Sequence, residues 1–139
     1  PYVKDIINRV VLDFKELNSI DVGTVAIMPN DVDNYPEDSY EKMISFSKIN
    51  NFSFHYLYDE AQQVAKDYNA VCTPDFFCFD KNQELFYRGR LDNLKYKSKN
   101  LLPRKKELVE AVKLKINKGK TVEEQYSSMG CSIKWKKNQ

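Results

Sequence analysis

Val71-Cys72-Thr73-Pro74-Asp75-Phe76-Phe77-Cys78-Phe79-Asp80 joins a restricted Thr-Pro step to an uninterrupted apolar run. Pro74 has a fixed φ and no N–H, so it can open a strand but does not fit inside a central one. The strand is therefore expected to begin near Asp75. Phe76 to Phe79 shows no polar alternation, the pattern of a strand covered on both faces or of a short buried helix, and the flanks favour strand. A polar turn at Lys81-Asn82-Gln83-Glu84 and a second β-prone run at Leu85-Phe86-Tyr87-Arg88 make the unit a predicted hairpin.

Upstream, Val3, Ile6, Ile7, Val10, Val11, Phe14 and Leu17 recur at helical spacing. They predict an amphipathic helix from Pro1 to about Asn18, with Lys4, Asp5, Asn8, Arg9 and Lys15 mostly outside its apolar face. Val22 to Met28 reads as a buried strand. Pro36-Glu37-Asp38 opens a helix to about Ile49, with Tyr40, Met43, Ile44 and Phe46 on its apolar side. Phe54 to Leu57 reads as a short strand, and Asp59 as the cap of a helix through Ala70 that buries Ala61, Val64, Ala65 and Tyr68.

Strands separated by helices predict parallel pairing, with the hairpin after Pro74 adding an antiparallel edge. The fold class is α/β. Beyond the hairpin, Asp92 to Asn100 reads as a loop, and Pro103 opens a last helix with Leu108, Ala111, Val112 and Ile116 inward, ended by Gly119. The organisation expected is one domain over 1–120 and a tail over 121–139 that docks through Cys131, Ile133 and Trp135.

Composition narrows the function classes. The chain has 139 residues, 42% hydrophobic and 30% charged, enough for one domain with a core and unlike a fibrous or disordered chain. No apolar run is long enough to span a bilayer, and no membrane partner is expected. Three cysteines and one histidine, His55, do not make a disulfide scaffold or a zinc site, so no metal or cofactor is expected. His55 reads as a strand residue. Charge is uneven: residues 1–94 hold nine Lys/Arg against sixteen Asp/Glu, and residues 95–139 hold thirteen against four. Lys95, Lys97, Lys99, Arg104, Lys105, Lys106, Lys113 and Lys115 read as a solvated surface, because no aromatic stacking platform accompanies them; no nucleic-acid partner is expected.

Three segments taken together, Val71 to Phe77, Tyr87-Arg88-Gly89-Arg90-Leu91-Asp92 and Gly130-Cys131-Ser132-Ile133-Lys134-Trp135, resemble the thioredoxin-like redoxins related to alkyl hydroperoxide reductase and thiol-specific antioxidant proteins. The resemblance implies a three-layer α/β/α fold with a mixed central sheet. It also implies a cis Pro74 facing the active-site thiols, with the Thr73 backbone free to pair with a bound thiol or peptide. In that family a Cys-x-x-Cys stands directly before Pro-Tyr-Val-Lys, and this sequence begins at Pro1-Tyr2-Val3-Lys4. Either the sequence is part of a longer protein, or the thiol chemistry has been lost. With the preceding strand also outside the sequence, Val22–Met28 and Phe76–Phe79 are not expected to be direct sheet neighbours.

The activity implied is thiol-disulfide oxidoreduction or thiol-dependent peroxide reduction, with a thiolate at the N-terminus of the Pro1 helix, where free N–H groups and the helix dipole favour the anion. Its substrate is a protein or small-molecule thiol, disulfide or peroxide, and its reductant a redox partner protein. A cytoplasmic location is expected, and a homodimer is left open. The alternative is a non-catalytic thioredoxin-like interaction module. Cys72 and Cys131 are the candidate catalytic thiols within the chain, Cys131 as a resolving thiol, and Thr73 and Pro74 the candidate substrate-binding residues. Each cysteine equally fits a small packed thiol. Cys78, inside the Phe run, reads as inert core, and Arg88 and Arg90 as surface charge.

Overall fold

The structure is a computed structural model that describes residues 1–95 and 103–137. Lys97, Lys99 and the end of the loop expected at Asn100 lie outside the described residues. In chain order the elements are α1 (Tyr2–Ser19), β1 (Val25–Met28), a 3-10 turn (Pro36–Asp38), α2 (Tyr40–Ile49), β2 (His55–Tyr58), α3 (Gln63–Asp67), β3 (Cys72–Thr73), β4 (Phe76–Phe79), β5 (Leu85–Gly89), α4 (Glu107–Lys118) and β6 (Cys131–Ser132). The class is α/β. The strands form three pairs, β1 with β2, β3 with β6 and β4 with β5. Among the described residues β1 and β4 are not hydrogen-bonded neighbours, as expected.

The chain packs into two compact units, each assembled from separate stretches of sequence. The first contains Pro1–Ile6 and Cys72–Cys131. Its hairpin pairs β4 with β5 antiparallel, Phe76 opposite Gly89 and Cys78 opposite Tyr87, with a bulge between Cys78 and Phe79. Helix α4 packs against β5 and buries Leu108, Val109, Ala111 and Val112, while Ile116 is exposed. Pro103 precedes the helix by several residues rather than opening it. Gly119 ends α4 in the left-handed region, φ 65°, where a side chain would be strained, and its N–H donates to the Lys115 carbonyl. Phe79 is 44% exposed, so β4 is less covered than its apolar run suggests.

The second unit contains Ile7–Val71 and Ser132–Gln139. Its strands pair in parallel, Val25 opposite His55 and Met28 opposite Tyr58. The core includes Ile7, Val10, Phe14, Leu17, Met28, Met43 and Ile133. Phe14 meets Phe54 edge-on at 4.9 Å between ring centroids, and Phe54 stacks on Phe52 at 4.4 Å. Arg9, expected outside the apolar face of α1, is buried, as is Asp13.

Three helix expectations are corrected here. The helix expected from Pro36 divides because Ser39 caps α2, its hydroxyl accepting from the Lys42 N–H at 3.3 Å. On α2 only Met43 is buried, and Tyr40 and Ile44 are exposed. The helix expected from Asp59 through Ala70 covers only Gln63–Asp67, because Gln62 adopts a left-handed φ of 59° that no continuous helix can contain. Ala65 is buried there, while Ala61, Val64 and Tyr68 are exposed. The tail is also not one appendage: residues up to Cys131 belong to the first unit and Ser132–Gln139 to the second. Ile133 is buried, but Trp135 is 42% exposed.

Candidate functional site

The candidate site is the turn from β3 into β4 in the first unit. The Thr73–Pro74 peptide bond is cis, as the resemblance implied. The Cys72 thiol sits 3.7 Å from the Pro74 carbonyl oxygen, to which it donates. Burial pushes the Cys72 pKa above that of a free thiol, the negative charge of Asp75 adds to the rise, and the Arg88 guanidinium partly offsets it. Cys131, in the strand paired with β3, raises it further.

Asp75 organises this turn. Its carboxylate is almost wholly enclosed, accepting from the Arg88 guanidinium at 3.2 Å and from the Ser128 hydroxyl at 2.7 Å. The Ser128 hydroxyl also lies 2.6 Å from the Gly89 carbonyl oxygen. Arg88 in turn lies over the Phe77 ring, 4.9 Å from its centroid. Neither Asp75 nor Ser128 was singled out from the sequence. Asp75 follows Pro74 directly and could have been found by that position, whereas Ser128 is 53 residues away with no local signal.

Gly130 lies against the Thr73–Pro74 peptide so closely that a Cβ would strike the Thr73 carbonyl oxygen and stand 2.6 Å from its carbon and 3.0 Å from the Pro74 nitrogen. Only glycine permits that approach. Thr73, expected to offer a free backbone, is therefore covered by the chain's own C-terminal segment. Arg90, expected as surface charge, forms a bidentate pair with Glu107 at 2.6 and 3.0 Å and lies 4.4 Å from the Tyr126 ring centroid. Cys78 faces Tyr87 across the hairpin, and burial pushes its thiol up to about 12, consistent with the inert role expected. His55 is exposed on β2. Among the described residues no group of His, Cys, Asp or Glu could hold a metal ion, and no helix is long and apolar enough to cross a membrane.

Two solved structures are similar to the chain over nearly its whole length. One is an uncharacterized conserved protein from Geobacillus kaustophilus, 40% identical, with a TM-score of 0.90 over 100% of this chain and 73% of that one. The chain belongs to that protein's family. The second, a hypothetical protein from Sinorhizobium meliloti 1021, is 32% identical with a TM-score of 0.90 over 99% of this chain and 75% of that one. No protein-family model matches the sequence, and no curated protein is similar to it.

Proposed function

We propose that the chain is the greater part of a thioredoxin-like, three-layer redoxin that carries out thiol-disulfide exchange through a thiolate at the N-terminal end of α1, immediately before Pro1. The observation that carries this reading is the make-up of the first unit, in which Pro1–Ile6 packs with the stretch from Cys72 to Cys131 although about 65 residues of sequence intervene. An 18-residue helix carries the positive end of its dipole at its start. A thiolate there would attack a substrate disulfide, forming a mixed disulfide and releasing one thiol. A second protein thiol would then displace the remaining substrate thiol, leaving a protein disulfide for an external dithiol to reduce. The upstream Cys-x-x-Cys partner or Cys131 is the candidate for that second thiol. A peroxide substrate would instead oxidise the thiolate to a sulfenic acid and leave as an alcohol or water. In peroxide-reducing redoxins an arginine commonly stands near the position of Pro74, so proline there favours disulfide exchange.

Burial raises the pKa of Cys72, which speaks against that thiol as a nucleophile and leaves a second reading in which the turn around Pro74 serves for binding alone. On that reading the unit binds peptides without exchanging disulfides. The two are separated by expressing the intact protein with the residues that precede Pro1. Insulin reduction driven by dithiothreitol, and loss of hydrogen peroxide, would be followed side by side. Insulin turnover above the uncatalysed rate, abolished by replacing an upstream cysteine with serine, is expected. A folded protein inactive in both assays leaves the binding module.

A further inference from the structure

The residues that cover Thr73 form a run with an unusual way of holding on. Gln125 brackets β5, its side-chain oxygen accepting from the Arg88 N–H at 3.0 Å and its side-chain nitrogen donating to the Phe86 carbonyl at 2.9 Å. The Tyr126 carbonyl accepts from the Arg90 N–H at 3.1 Å. Ser128 reaches Asp75 and Gly89, and Gly130 then lies on the Thr73–Pro74 peptide, with Cys131 in the strand paired to β3. From Gln125 to Cys131 no residue is buried, and Gln125, Tyr126, Ser127 and Met129 are exposed. The run is held by hydrogen bonds, by the Arg90 guanidinium on the Tyr126 ring and by close backbone approaches at Gly89 and Gly130, with no buried side chain of its own. The final pairing is between strands of two residues each. Segments held this way open at low cost, since little apolar surface must be rehydrated.

We propose that Gln125–Cys131 is an intramolecular strap that occupies the backbone edge of Cys72–Thr73 and opens locally, so that access to Cys72 is governed by the chain itself. Asp75 is the latch, because one carboxylate holds both the strap, through Ser128, and the charge on Arg88. Strap release thus removes a donor from Asp75 and frees the backbone edge beside Cys72 in one event. The strap does not rest on the redox reading above.

The test is the rate at which iodoacetamide alkylates Cys72, followed by mass-spectrometric mapping so that Cys78 serves as an internal control. Gly130→Val places a side chain where none fits, and Ser128→Ala removes the latch contact without adding bulk. Alkylation of Cys72 is expected to rise about threefold to tenfold in Ser128→Ala, the range given by losing one modest hydrogen bond, and further in Gly130→Val, with Cys78 unchanged. Rates at Cys72 within about twofold of the parent in both variants would overturn the strap. An equal rise at Cys78 would count against it as well, as general loosening. Turnover of insulin and of hydrogen peroxide by the intact protein is scored separately: a strap effect with neither refutes the redox reading and leaves the strap standing.

Discussion

Cys72 and Cys78 lie six positions apart in one apolar stretch, and their surroundings divide them. Cys78 sits across from Tyr87 with burial alone acting on it, so its thiol stays protonated throughout the physiological range. Cys72 is also raised chiefly by burial, but opposing charges act on it as well, Asp75 upward and Arg88 downward. Its acidity can therefore be tuned. Neutralising Asp75 as Asp75→Asn removes a negative charge and frees Arg88 to favour the thiolate, so the pH profile of Cys72 alkylation should move to lower pH. Arg88→Gln should move it to higher pH. Iodoacetamide rates measured between pH 6 and 10, resolved at Cys72, check both signs, and equal shifts in the two variants would refute this electrostatic account. The sequence made the two thiols distinguishable, since a cysteine beside a Thr-Pro step differs from one inside a Phe run. It did not reveal the Asp75–Arg88 pair, whose members are 13 residues apart and meet only when the hairpin closes.

Among the elements, the long periodic segments were the most legible. Helix α1 runs from Tyr2 to Ser19, close to its expected end, because seven apolar positions repeat without a break. The hairpin and the glycine stop of α4 followed from turn chemistry that acts locally. Helix α3 was misjudged because its boundary depends on Gln62, a residue type with no preference for the left-handed region it occupies. That conformation is fixed by distant partners. The fully buried Gln62 amide donates to the carbonyls of Pro29 at 2.7 Å and Lys134 at 2.9 Å, and accepts from the Lys136 N–H at 3.0 Å. Gln62→Ala would leave the Pro29 carbonyl and the Lys136 N–H without this partner and the Lys134 carbonyl with the Asp31 N–H alone, and is expected to destabilise by about 2–4 kcal/mol. Gln62→Glu should also destabilise, because a carboxylate cannot donate to two carbonyls. Urea denaturation midpoints at constant slope test both, and stability within about 0.5 kcal/mol of the parent would show the clasp to be dispensable.

For the whole molecule, neither compact unit is continuous in sequence, and this was the least legible feature. Periodicity finds elements, but no local pattern links Lys134 with Asn30 or Gln62. Yet the closing residues complete the second unit from inside it. Ile133 is 4% exposed, and its N–H donates to the Val71 carbonyl at 3.2 Å. Lys134 donates to the Asn30 side chain at 2.9 Å and accepts from the Asp31 N–H at 2.8 Å, before Gln62 takes the same carbonyl. Ending the chain at Cys131 removes one buried isoleucine, of order 2 kcal/mol, and several part-buried hydrogen bonds of about 1 kcal/mol each. The expected loss of roughly 4–6 kcal/mol is comparable with the whole stability of a small domain. The shortened chain should therefore lose protection from hydrogen exchange throughout Ile7–Val71, first at Asp31, whose N–H partner is removed. If only that amide and its immediate neighbours exchange faster, while the β1 and β2 amides keep their parent rates, the last eight residues are an ornament on a unit that folds without them.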